Sequence, residues 1–169
     1  MPSDRLTRST PAPAPGIVHL GPGAFFRAFN AIYTDEAMAA SGGDWGIVAV
    51  SLRSAAARDA LAPQDCAYTA VSLGTERTER RVIGAIAGCL VAPEDPEALL
   101  RAMADPATRI VSLTITEKGY CHEPATGRLD PDHPDIAHDL AQPGAPRSAP
   151  GYLVEALARR RAAGIPPFT

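Results

Sequence analysis

A chain of 169 residues, 46% hydrophobic, is long enough to bury the core of one α/β domain and short for separate cofactor and substrate domains. Lys and Arg number 16 against 19 Asp and Glu, a net charge of −3, which excludes the basic footprint of a nucleic-acid binder. The longest apolar run, Val82 to Ala92, is too short for a bilayer, no secretory signal opens the chain, and Cys66, Cys89 and Cys121 form no CxxC pair, so a cytoplasmic location is expected without disulfides, thiolate zinc or membrane insertion.

Residues 1–16, with Ser9-Thr-Pro-Ala-Pro-Ala-Pro-Gly16, read as a flexible leader, and one domain is expected over 17–169. A strand from Ile17 stops at Gly21. Gly21-Pro22-Gly23 forms a tight turn, and apolar residues at three and four spacing predict one amphipathic helix from Ala24 to about Ala40. In a βαβ unit such a turn lets the backbone approach a pyrophosphate, and the helix N-terminus offers it free N–H groups. The strict GxGxxG spacing fails here, because Phe26 stands where the third glycine belongs.

The uncharged run Ile47 to Leu52 predicts a buried parallel strand, and Ser54 is the expected cap of a short helix from Ala55 to Leu61. Cys66 to Leu73 and Thr78 to about Val91 predict two strands around the turn Gly74–Arg77. A helix follows over Pro93 to Ala104, with Asp95 as cap and Pro96 in its first position, then a strand over Arg109 to Thr116. Glu117 to Pro150 is rich in Pro, Gly, His and Asp; it reads as a long irregular segment with one short helix near Asp135 to Leu140, where ligands of open α/β sheets usually sit. A last helix is expected over Gly151 to Gly164, and Ile165 and Phe168 look like the entrance to a further strand. The series predicts an α/β fold, doubly wound around a mostly parallel sheet, with a hairpin or strand extension.

Three signals stand in order along this series. They are Gly21-Pro-Gly23-Ala-Phe25-Phe-Arg27-Ala28, Trp45-Gly46-Ile47, and Thr114-Ile-Thr116-Glu117-Lys-Gly119-Tyr120. Together they resemble the polyol-specific long-chain dehydrogenases and reductases, the family of mannitol 2-dehydrogenase, fructuronate reductase and tagaturonate reductase. Ala62-Pro-Gln-Asp65-Cys-Ala-Tyr68-Thr69 and Arg147-Ser-Ala-Pro-Gly151 also look like family sequence. The resemblance implies a Rossmann-like domain, and it absorbs Phe26, since the family carries a bulky residue there, usually histidine.

It further implies that Gly21, Gly23 and the backbone of Ala24, Phe25 and Phe26 face the pyrophosphate. Arg27 is either a phosphate or substrate-side cation or an ordinary helix charge. At the end of the second strand stand Ser51 and Arg53, where an NAD site usually has an acid; the family implies NAD, and Arg53 leaves NADP open. Glu117 is implied to border the active site, with Thr116 near the cofactor. Lys118 beside it reads as a base or, more simply, as a solvated charge. His122, His133 and His138 with Glu123 and Asp135 match no ligand spacing, so no metal is expected. His19, inside the first strand, reads as a hydrogen-bonded core histidine.

The implied activity is hydride transfer between a nicotinamide and an open-chain polyol or sugar-acid alcohol, giving its ketose or keto form. Family members carry the proton-handling residues on a Lys-x5-Asn-x2-His pattern in a C-terminal helical substrate domain, after a Cys-Asp-Asn segment. Neither pattern occurs in these 169 residues. The chain is therefore expected to be the cofactor domain without that partner domain, inactive alone, and able to dimerise through an exposed face. Two other readings are a non-catalytic dinucleotide-binding module and a methyltransferase-type domain for S-adenosylmethionine; the latter calls for an acid closing the second strand, where Arg53 stands.

Overall fold

A computed structural model describes residues 5–169. Four strands form one parallel sheet: β1 (Pro15–Leu20), β2 (Gly46–Ser51), β5 (Ile86–Val91) and β6 (Ile110–Leu113), in the order β5-β2-β1-β6. Between β2 and β5 the chain makes an antiparallel hairpin, β3 (Tyr68–Leu73) and β4 (Thr78–Ile83), which stands as a separate two-stranded sheet. The predicted mostly parallel sheet with a hairpin is thus the observed one.

Alternation along the central strands sends side chains to two cores. Val18, Leu20 and Val50 face one layer, where α4 (Pro96–Ala104) brings Leu99, Leu100 and Met103 and α6 (Ala149–Ala162) brings Tyr152 and Ala156. Ile47 and Ala49 face the other, against Phe26, Ala31, Leu61 and Ile83. Helices on both faces make the sheet doubly wound. The first connections run from β1 to β2 to β5, and the chain then crosses to β6 on the opposite side of β1. That reversal is the topological switch point, above which ligands of such sheets bind.

Four local expectations are corrected. The single helix over 24–40 is two, α1 (Ala24–Ala28) and α2 (Asn30–Ser41), broken at Phe29 with φ −129° and ψ −80°. An unbroken helix would give the Arg27 carbonyl to the N–H four residues on; here the Tyr68 hydroxyl donates to it. The strand expected over Thr78–Val91 is likewise two, because at Gly84 the backbone turns to other partners. Gly84 N–H donates to Asp35 Oδ1 (2.9 Å), and Arg8 Nη1 donates to its carbonyl (2.8 Å). Ser54 does not cap α3 (Ala56–Leu61), whose N-cap is Ala55 with no side-chain bond. Of the expected leader, residues 1–4 lie outside the described residues, and the rest is tied to the domain: β1 begins at Pro15, and Arg8 also donates to the carbonyls of Asp65 and Ile86.

Other ends follow their sequence signals. Asp95 Oδ1 accepts from Ala98 N–H at the start of α4, and Ser148 Oγ from Gly151 N–H at the start of α6. α5 spans Pro134–Ala141. Arg160, in the last turn of α6, is buried and donates to the carbonyls of Met103, Asp105 and Pro166. The final residues lie along β6, where Thr169 exchanges backbone hydrogen bonds with Arg109 and Val111.

Candidate functional site

The site is built around the turn after β1. Gly21 has φ +95°, and a Cβ there would meet the Thr114 carbonyl at 3.1 Å, so both conformation and space require glycine. Its carbonyl accepts from Gly23 N–H (2.7 Å) and from the Thr114 hydroxyl (2.7 Å), which closes a tight turn around the buried Pro22. Arg27 Nη1 donates to the Pro22 carbonyl (2.6 Å) and holds the turn from the helix side. Gly23 differs from Gly21. A Cβ on it would meet nothing in the protein nearer than 4.0 Å, so its missing side chain leaves room above the turn. α1 begins there without a side-chain cap, and the N–H groups of its first turn have no helical acceptor.

Behind the turn lies His19, wholly buried. Its register on β1 sets it beside Ser112 of β6, and its Nδ1 lies 2.8 Å from Ser112 Oγ. Nε2 lies 2.9 Å from Thr114 Oγ1. The single Thr114 proton goes to the Gly21 carbonyl, so Nε2 carries the ring proton and donates to Thr114, while Nδ1 accepts from Ser112. Burial holds the His19 pKa down to about 4, with the Gly21 carbonyl opposing, so the ring is neutral near pH 7. Phe26, 1% exposed, stacks on this ring at 3.8 Å between centroids and 12° between planes. The position where the strict fingerprint needs glycine for close helix–strand packing is thus filled by a stacked aromatic pair.

Above the turn opens a groove of about 480 Å³, walled by the turn, the end of β2 and the Thr114–Thr116 segment after β6. Of the residues singled out from sequence, Gly21, Gly23, Ala24, Arg27, Ser51, Arg53 and Thr116 line it together. Phe25 and Phe26 do not: Phe25 projects to solvent at 63% exposure, and Phe26 is in the core. Glu117 and Lys118 are exposed in the one-turn 3-10 helix Glu117–Tyr120 and lie outside the lining.

A second cavity of about 560 Å³ adjoins the first, sharing Leu52, Arg53 and Gly119 as walls. Its far side comes from α5, the segment before α6 and α6 itself, through Asp135, His138, Arg147 and Tyr152. This half was not singled out residue by residue from sequence. The signal for it was the long segment after β6, whose shape is held by one buried carboxylate. Asp139 accepts from the backbone N–H groups of Arg147 (2.8 Å) and Ser148 (2.9 Å) and from the Ser148 hydroxyl (2.6 Å), with His138 Nδ1 at 3.1 Å. Burial raises the pKa of this carboxyl, yet the Ser148, His138 and Arg147 hydrogen bonds outweigh it and hold it below the usual value.

Among the described residues no cluster of three or more His, Cys, Asp or Glu could hold a metal ion, and no helix is long and apolar enough to cross a membrane. The geometry offers uncapped N–H groups, an open glycine and guanidinium groups along a two-part groove at the switch point. That arrangement suits an elongated anionic ligand.

Known proteins share this architecture. The profile of the mannitol dehydrogenase Rossmann domain matches residues 15–169. A mannitol 2-dehydrogenase of Phaeosphaeria nodorum is 50% identical over 157 residues, 91% of this chain and 28% of that protein. A D-mannonate oxidoreductase of Escherichia coli is 48% identical, over 90% of this chain and 32% of its own length. The solved ternary complex of Pseudomonas fluorescens mannitol 2-dehydrogenase with NAD and D-mannitol superposes with a TM-score of 0.87 at 48% identity, covering 92% of this chain and 32% of that one. The chain spans about a third of the length of these relatives.

Proposed function

Because the chain belongs to the mannitol dehydrogenase family through its Rossmann domain, we propose that it is the dinucleotide-binding domain of an NAD(P)-dependent oxidoreductase acting on a polyol or sugar-acid alcohol. The observation that carries the reading is the uncapped start of α1 behind the open Gly23, at the switch point of the parallel sheet. The fit of a pyrophosphate there rests on free N–H groups and on space that a Cβ would fill.

In this reading Gly21, Gly23 and the backbone N–H groups of Ala24, Phe25 and Phe26 hold the pyrophosphate, and Arg27 fixes the turn that presents them. Ser51 and Arg53 meet the adenosine ribose, and the adjoining cavity under α5 and α6 takes the adenine. Thr116 borders the nicotinamide end, with Glu117 and Lys118 at the margin of the reacting centre. The bound nicotinamide supplies the hydride acceptor or donor; the chain's own residues bind and orient it.

The reading is tested by titrating the chain with NADH and following the quenching of Trp45 or calorimetric heat. Saturable binding that Gly23→Val abolishes supports it, and the absence of binding overturns it. The same proposal holds that the chain alone binds the dinucleotide without turning over mannitol or mannonate, read as nicotinamide absorbance. It also includes a cytoplasmic location, supported by three free thiols, and self-association through the exposed rings of Phe25, Phe29 and Tyr33. Light scattering showing a strict monomer would remove that last element.

A further inference from the structure

The groove's two cavities meet at the end of β2, and the residues there bear on which dinucleotide it admits; the argument rests on the dinucleotide reading above. At this position a βαβ site commonly places a carboxylate that accepts from the ribose hydroxyls, or a cation that receives a 2′-phosphate. Leu52 and Arg53 wall both cavities, and Ser54 adds a hydroxyl to the first.

The carboxylates that could have served are engaged elsewhere. Asp59 of α3 accepts from Arg58 Nε (3.0 Å) and Nη2 (2.8 Å), and Glu94, after β5, pairs with Nη1 of the same guanidinium. Neither carboxylate lines the groove. Arg53 is exposed and, among the described residues, has no hydrogen-bond or ion-pair partner. The Arg147 side chain, reaching the second cavity from the segment before α6, has none either. One carboxylate, Asp135, lines that cavity against these two guanidinium groups.

We infer that the groove admits a 2′-phosphorylated dinucleotide alongside NAD, with Arg53 as the residue that receives the phosphate. A guanidinium fork without a protein partner matches two phosphate oxygens in a bidentate contact, and its charge is spent on nothing else. With no acid at this point, the 2′-phosphate meets no repulsion from the β2 end, so the additional group does not exclude the larger cofactor.

The test compares NADPH with NADH, and 2′,5′-ADP with 5′-AMP, by calorimetric titration of the chain and of Arg53→Ala. NADPH is expected to bind at least as tightly as NADH, and 2′,5′-ADP about tenfold tighter than 5′-AMP. Arg53→Ala is expected to weaken NADPH about tenfold more than it weakens NADH, because the ribose contact is lost to both cofactors and the 2′-phosphate contact to NADPH alone. NADPH weaker than NADH by tenfold or more overturns the inference, as does an Arg53→Ala variant that keeps the parent's NADPH-to-NADH ratio. If neither dinucleotide binds, the dinucleotide reading itself fails. Arg53 is exposed and packs in neither core, so the variant should fold; the parent's own ratio decides if it does not.

Discussion

Two walls of the groove handle their polar groups in opposite ways. In the turn wall the Gly21 carbonyl is shared by Gly23 and Thr114, the Pro22 carbonyl is taken by Arg27, and His19 is held by Ser112 and Thr114 under the Phe26 ring. In the facing wall the side chains of Arg53, just after β2, and of Arg147, on a segment shaped from beneath by Asp139, project without protein partners among the described residues. The first wall is rigid because its bonds are closed within the protein. The second keeps its strongest donors free, so substitutions in the turn should act on folding, whereas those on the charged wall should act on binding.

The largest expected effect is on the turn wall. Phe26→Ala removes a buried ring stacked on His19 and should lower stability by about 3–5 kcal/mol in denaturant unfolding. An equal loss of dinucleotide affinity without a loss of stability would break the comparison. His19 gives the next effect. Its folded pKa is depressed, so the unfolded chain binds more protons between the unfolded value near 6.5 and the folded value of about 4. Stability should therefore be fully present above pH 6.5 and decline through this window, by up to about 3 kcal/mol in all. His19→Gln should flatten that slope, as measured by unfolding midpoints from pH 4 to 7.

Under the facing wall Asp139→Ala leaves the Arg147 and Ser148 N–H groups and the Ser148 hydroxyl without their acceptor. About 2–3 kcal/mol of stability should be lost, with weaker adenosine binding as the loop before α6 loosens. A smaller and sharper contrast comes from the two glycines. Gly21→Ala forces a Cβ into positive φ beside Thr114 and should destabilise by about 2 kcal/mol. Gly23→Ala fits the protein and should change stability by no more than about 0.5 kcal/mol while weakening the dinucleotide, a separation that unfolding and titration resolve.

Residues whose environment is set by near neighbours were legible from sequence. The uncharged strands, Asp95 with Pro96 at the head of α4, and the Gly21-Pro22-Gly23 turn each carried their signal within a few positions. What escaped was decided from far along the chain. The break at Phe29 depends on Tyr68, and the break at Gly84 on Arg8 and Asp35. The hydrogen-bond partners of His19, Ser112 and Thr114, are invisible until strand register brings β1 beside β6. The second cavity was hidden for the same reason, since its walls meet through Asp139 rather than through any local pattern.

The closed bonds of the turn also determine the sign of the charge it shows to a ligand. The carbonyl oxygens of Gly21, Pro22 and Gly23 all accept from groups of the protein, Gly23 from Arg27 N–H. Their lone pairs are turned away or screened, while the N–H groups at the head of α1 keep their dipoles outward. The turn is thus an electrostatic rectifier: its carbonyl oxygens are already engaged by donors of the protein, whereas the N–H groups at the head of α1 remain for an anion. Selection for an anion at this point needs no charged side chain, and it should persist at ionic strengths that erase the contribution of the exposed Arg53.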